Sequence, residues 1–190
     1  MRGNKAYLLL LALAAACLFS LAAGPAGLSD MDVILDLRLP RTLAALAVGA
    51  ALGLSGALFQ GVLKNPLSDP YILGTSSGAT AAAVFCFLAG IERASLLFFL
   101  SVFAGAFGAT FLSYWLARAA GRLSDASLVL AGVAVSAFLS ALIMLTLSVA
   151  RERSFSIFYF VLGGLYAGAP GVLLLSGFII ACAAVAAMMR

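Results

Sequence analysis

Charge is scarce along this chain, and its placement decides most of what the chain can fold into. The eleven Lys and Arg and seven Asp and Glu are clustered, leaving six stretches with no charge at all: 6–29, 42–63, 70–91, 94–117, 126–150 and 154–189. Their lengths are 24, 22, 22, 24, 25 and 36 residues. A helix rising 1.5 Å per residue needs about 20 residues to cross a hydrocarbon core about 30 Å thick. Five stretches fit one crossing each. The sixth is too long for one and too short for two, and it contains Gly163, Gly164, Gly168, Pro170 and Gly171, residues that break helices. A short helix or re-entrant segment over about 155–166 is therefore expected, then a last span over about 171–189. Composition points the same way: 65% apolar and 9% charged, against about 45–50% and about a quarter for a soluble domain. The mean hydropathy is +1.19. The runs lack the alternation of transmembrane β-strands. The expected class is all-α: a polytopic integral membrane helical bundle forming one transmembrane domain over 1–190. Its spans fall near 6–24, 42–63, 74–90, 95–117, 126–149 and 171–189.

Several functions are disfavoured by what is missing. There is no histidine, so the commonest general base and metal ligand is absent. No acid or base lies inside a span, whereas proton-coupled pumps usually carry an intramembrane carboxylate. A serine protease would lack a base beside its serine. Cys17, Cys86 and Cys182 each lie within an apolar run without C-x-x-C spacing, which reads as buried packing thiols. No catalytic residue, cofactor or metal is expected. The basic residues sit at span ends without a basic run or an aromatic platform, so nucleic acid is not an expected partner. Arg2 and Lys5 before the first apolar run resemble a targeting signal, but that run is long enough to span and is read as retained.

Orientation is nearly undetermined by charge. With the N-terminus cytoplasmic, Arg2, Lys5, Lys64, Arg118, Arg122 and Arg190 lie inside and Arg38, Arg41, Arg93, Arg151 and Arg153 outside. Six against five gives the positive-inside rule little to act on. The outer arginines need a reason of their own, and anchoring to lipid phosphate is one candidate.

The first connection, 25–41, holds Met31, Ile34 and Leu35 at near-helical spacing, consistent with a short interfacial helix. Pro40 suits the first turn of the second span, where its missing N–H would be unbonded anyway. Gly49, Gly53, Gly56, Gly74, Gly78, Gly105, Gly108 and Gly132 imply close helix packing. Between spans two and three, Lys64-Asn65-Pro66-Leu67-Ser68-Asp69-Pro70 cannot continue a helix and reads as a structured turn. Gln60 lies one turn before it, and an amide in lipid is expected to bond within the bundle.

One stretch carries a recognisable pattern. It reads Arg38-Leu39-Pro40-Arg41, then Gly49-Ala50-Ala51-Leu52, Ser55-Gly56 and Gln60. It continues through Asn65-Pro66-Leu67-Ser68-Asp69-Pro70, Leu73-Gly74 and Ser77-Gly78-Ala79. This resembles the permease family of ABC importers for iron-siderophores, haem and cobalamin. The likeness continues at Leu128-Val129-Leu130-Ala131-Gly132 and more weakly at Phe160-Val161-Leu162-Gly163-Gly164.

The resemblance implies a multi-pass permease in the cell (inner or plasma) membrane, with a cytoplasmic N-terminus and about ten spans, of which this chain has about six. It implies three kinds of partner: a second permease subunit, two cytoplasmic ATPase subunits and an extracytoplasmic substrate-binding protein, besides membrane lipid. Arg38 and Arg41 match residues that dock acidic groups on the two lobes of the binding protein. Ser136, Ser140, Thr146, Gly163 and Gly164 fall where the path is lined. Ser124, Asp125 and Ala126 match the cytoplasmic gate, with a plain helix N-cap as the other reading of Ser124 or Asp125. Gln60, Asn65, Pro66, Pro70, Gly74 and Gly78 belong to the motif turn. The last four spans of the family have no counterpart here. The alternative expectation is thus a truncated or split permease fragment, acting only as a structural or assembly subunit.

Overall fold

The structure is a computed structural model that describes residues 2–24, 30–121, 124–150 and 153–164. Every regular element in these residues is helical. The elements are α1 (Arg2–Ala22), α2 (Met31–Val33), a π-helical turn (Ile34–Arg38), α3 (Leu39–Val62), α4 (Thr75–Ala89), α5 (Leu96–Ala119), α6 (Asp125–Val149) and α7 (Ser154–Leu162). The expected last span and Gly168, Pro170, Gly171 and Cys182 lie outside the described residues. The described chain falls into two compact units, one running to Ala51 and the other from Leu52 to Gly164.

Among the described residues, three helices are long and apolar enough to cross a membrane: Met31–Val62, Leu96–Ala119 and Asp125–Val149. Large apolar side chains stand exposed along them and along α1, among them Leu9, Phe103, Phe107, Leu130 and Met144. In water, exposure on this scale would mark an interaction site or an aggregation hazard; in lipid it is the expected outer surface.

In the first unit the chain departs from expectation at Pro40. The second long helix does not begin there. Asp30 caps it, its side chain accepting from the Val33 N–H, and helix runs on from Met31 through Val62. A proline ring in regular helix collides with the carbonyl four residues back. Here the preceding turn is widened, with the Leu39 N–H reaching back to the Ile34 carbonyl. That wider turn lets the helix pass through Pro40. The separate interfacial helix and second span merge into one element.

The second unit is built on α4, α5 and α6, with α7 packed on α4 and α6. A Cβ on Gly78 would stand 2.3 Å from the Gly105 carbonyl oxygen, and one on Gly105 would meet Ala82 at 2.5 Å. Glycine at both positions is what lets α4 and α5 touch backbone to backbone. Ile157 and Val84 are fully buried in a core with Ala81 and Ile143. A neighbouring cluster joins Ala83, Cys86 and Phe98 to Phe87 and Phe160. α4 ends at Gly90, whose φ of 76° supplies a left-handed cap.

Candidate functional site

The motif turn, residues 63–74, is the most constrained feature of the second unit. Asn65 Oδ1 accepts from the Leu67 N–H at 3.0 Å and Asp69 Oδ1 from the Tyr71 N–H at 2.8 Å, so two side chains replace the backbone partners each bend removes. Lys64 takes φ 48° and Gly74 φ 78°. Thr75 donates its hydroxyl to the Pro70 carbonyl at 3.0 Å.

Neighbouring helices then hold the end of the turn. The fully buried Ser113 of α5 has its hydroxyl 2.9 Å from the Leu73 carbonyl and 3.0 Å from that of Ala109. On α6, a Cβ at Gly132 would stand 1.9 Å from the Ile72 carbonyl oxygen, so the turn lies directly on the helix backbone. Gly74 faces Val135 and Ser136; a Cβ there would be 3.3 Å from Ser136 Oγ. Gly132 is seven residues into α6, about 10 Å along the helix axis. The turn therefore reaches roughly two helical turns into the bundle. Non-helical backbone at such depth is tolerated where it is buried in protein. The helix that follows the turn, α4, has 15 residues and rises only about 22 Å.

Of the motif residues, Gly74 and Gly78 are buried, Pro70 is half-buried, and Asn65 and Pro66 are exposed. Gln60 is exposed and its amide has no hydrogen-bond partner among the described residues, in place of the bundle-internal bond expected of it. Its backbone carbonyl accepts from the Asn65 N–H at 3.2 Å. An apolar groove of about 550 Å³ lies beside the turn, lined by residues including Phe59, Leu63, Leu73, Phe107, Phe111 and Tyr114.

Ser124, Asp125 and Ala126 are exposed at the head of α6. Ser124 is the N-cap. Its hydroxyl accepts from the Ser127 N–H at 3.1 Å while Ser127 Oγ accepts from the Ser124 N–H at 3.0 Å, a reciprocal capping box. Asp125 is in the first turn, where the helix dipole favours an acid.

The residues expected along the path are not gathered into one place. Ser136 meets Gly74, and Ser140 is exposed on α6. Thr146 donates to the Leu142 carbonyl at 2.7 Å and lines a small groove with Leu88 and Val149. Gly163, at φ 88°, terminates α7, and Gly164 follows it, both exposed.

Arginines tie several of these elements together. In the first unit, Arg38 Nη1 donates to the Leu21 carbonyl at 2.8 Å and to the Ala22 carbonyl at 3.4 Å, the last carbonyls of α1. Thr42, buried beside it, donates to the Arg38 carbonyl at 2.9 Å. Its oxygen lies 3.0 Å from Ser20 Oγ of α1, so Ser20 is the donor of that pair. Arg41 is exposed at one end of a groove of about 640 Å³ between α1 and α3, walled by Ala16, Cys17, Ala45 and Gly49. In the second unit, Arg153 donates to the carbonyls of Phe87 and Leu88 at the end of α4. Arg93 lies 4.8 Å from the Phe87 ring and 5.4 Å from that of Phe160, and donates to the Ser156 carbonyl. Sequence reasoning noted Arg93 and Arg153 only as unexplained outer charges, and it missed Ser113 entirely. Nothing marks one serine of an apolar run as the residue that will meet a loop forty positions away.

The sequence profile of the FecCD transport family matches residues 7–190. The chain belongs to this family. The family is one of transport permease subunits, not of enzymes. Curated relatives of this FecCD chain include the ferric enterobactin transport system permease protein FepD of Escherichia coli, 42% identical over 60% of this chain and 34% of the relative. The vitamin B12 import system permease protein BtuC of Serratia proteamaculans is 41% identical over 73% of this chain and 44% of its own. Its Salmonella paratyphi A counterpart is 38% identical over 86% and 53%. A solved chain described as an inward-facing conformation of a metal-chelate type ABC transporter superposes with a TM-score of 0.81 at 30% identity. That match covers 96% of this chain and 61% of the other. The FecCD chain thus spans a third to about half of the length of these curated relatives.

Proposed function

We propose that this FecCD chain is a transmembrane subunit of an ABC importer and forms part of the path for an iron-siderophore, haem or cobalamin-type chelate. The observation that carries the reading is the family match over 7–190, together with a motif turn braced at Asn65, Asp69 and Leu73. Two cytoplasmic ATPase subunits energise the importer, a second permease subunit completes the path, and an extracytoplasmic binding protein delivers the chelate. The N-terminus is cytoplasmic. The motif turn and the head of α6 then face the ATPase side, and Arg38, Arg41 and the end of α4 face the carrier.

In this reading the apolar chain itself performs no chemistry. Ser136, Ser140, Thr146, Gly163 and Gly164 border the path, and α7 is a short outer helix beside it. Ser124, Asp125 and Ala126 form the inner gate as well as the cap of α6; exposed small and polar groups suit a surface that must part rather than stay glued. Arginine at the Arg38–Arg41 motif recognises carboxylates of the carrier through its planar fork of donors.

The test is uptake in the organism that carries the chain. Deleting its gene should abolish uptake of at least one radiolabelled ferric chelate or cobalamin, and a plasmid copy should restore it. Unchanged uptake of every chelate tried would overturn the proposal.

A further inference from the structure

The motif turn leaves a gap as well as a contact. Residues 63–74 turn in toward α6, with the Ile72 carbonyl against Gly132, and among the described residues no helix fills the space between the end of α3 and α5. The groove there, about 550 Å³, has the size of a small-ligand site. α5 turns its small residues, Gly105, Ala109 and Ser113, toward α4 and the turn, and lines the groove with Phe107, Phe111 and Tyr114. Phe59 and Val62 of α3 stand across it. Thr110 also lines it, but its hydroxyl donates to the Ala106 carbonyl at 2.9 Å. The walls are therefore apolar along their length.

One end of the groove is different. Lys64 follows the lining residue Leu63, and Arg118 stands one helical turn beyond Tyr114 on the same face of α5. Separated by α4, helices α3 and α5 cross the membrane in the same direction, so both cations reach the same membrane face. Both are exposed, and neither side chain has a hydrogen-bond or ion-pair partner among the described residues. The acids nearest to them in sequence are placed otherwise: Asp69 Oδ1 accepts from the Tyr71 N–H, and Asp125 sits in the first turn of α6.

We infer that this groove is a lipid site: it takes one acyl chain of an anionic phospholipid whose phosphate is bound by Lys64 and Arg118. Apolar walls at membrane depth with two unneutralised cations at the membrane face complement such a molecule at both of its ends. Basic residues near the surface attract anionic head groups, and Arg and Lys are both phosphate binders. The lining also argues against a protein helix as the occupant. Helices in lipid approach one another over small residues, as α4 and α5 do at Gly78 and Gly105, whereas this groove is walled by aromatic and branched side chains. The site depends on neither cargo nor carrier, only on the chain lying in a membrane.

Trp115, the single tryptophan of the chain and exposed on α5, follows the lining residue Tyr114 and so reports on the groove. The purified full chain is placed in phosphatidylcholine vesicles, and brominated phosphatidylglycerol or brominated phosphatidylcholine is added at equal mole fraction. Bromine quenches indole emission at close range. The anionic lipid should be preferred about fivefold, the attraction expected of one basic residue, and up to about thirtyfold if both act in full. Lys64→Gln with Arg118→Gln should bring the ratio near one, while Arg41→Gln, on the other unit, should leave it unchanged. Thr110→Phe, which fills the groove without altering charge, should also reduce it. Equal quenching by the two lipids overturns the inference, as does a preference that survives loss of both cations. A preference that survives Thr110→Phe removes the acyl chain from the groove and overturns it too. Absence of quenching by either lipid means that protein covers this face, a second copy or another segment, and is equally fatal. Should the double variant fail to accumulate, salt decides on the unaltered chain: 1 M salt, with a Debye length of about 3 Å, should lower the preference severalfold, and an unchanged ratio contradicts the assignment.

Discussion

Gly132 shows how much of this fold rests on the absence of one carbon. Its Cα faces the Ile72 carbonyl so closely that a methyl group would overlap the oxygen, and backbone cannot step aside as a side chain can. Gly132→Ala is expected to cost about 1–3 kcal/mol through overpacking, read as a lower unfolding temperature in detergent; wild-type stability would mean that the turn does not lie on α6. Ser113→Ala is the complementary change. It removes the donor to the Leu73 carbonyl with little change of volume, at a cost of about 0.6–2 kcal/mol on the scale of hydrogen bonds between membrane helices. At this scale the sequence is half legible. The glycines announce close approach correctly at Gly78, Gly105 and Gly132, but at Gly49, Gly53 and Gly108 a Cβ would meet nothing within 4 Å, so spacing alone does not say which glycines another backbone approaches. Ser124 could be read as a cap because capping is local. Ser113 could not, because its partner is set by tertiary packing.

Among the elements, α7 is held by polar ties as well as by packing. Ile157 is buried at its centre, while Phe160 stacks on Phe87 at 5.3 Å and both rings carry Arg93. Arg93→Gln removes the cation–π term, about 0.5–2 kcal/mol. The amides of 156–162 are then expected to exchange faster with deuterium while those of α5 keep their rates; equal protection in both proteins would assign α7 to packing alone. Ser124→Ala should cost α6 about 0.5–2 kcal/mol, with faster exchange confined to its first turn. Local rules located these helices well, since length and uncharged runs are one-dimensional signals. They erred at Pro40, where proline at a helix start is a propensity and the π-turn before it is a tertiary solution. The widened turn leaves no mark in residue spacing.

For the whole molecule, the proposed orientation sets one spatial demand. The motif turn and the head of α6 must lie on one side of the membrane, and Arg41 and the end of α4 on the other. In the proposed orientation the alternation of spans puts Lys64 inside and Arg38, Arg41 and Arg93 outside, and the ties of Arg38, Arg93 and Arg153 would give that charge a function other than setting topology. Gating adds a further expectation. A cysteine at Asp125 in the assembled importer should change its reactivity between nucleotide states, and constant reactivity would leave Ser124–Ala126 as a cap only. Side-specific labelling tests the arrangement most directly. The three native cysteines are replaced, single cysteines are placed at Asn65, Asp125, Arg41 and Gly90, all exposed, and intact cells are treated with a membrane-impermeant maleimide. Labelling at positions 41 and 90 alone, with 65 and 125 reacting only after the membrane is opened, is the predicted result; labelling of 65 or 125 in intact cells would contradict it.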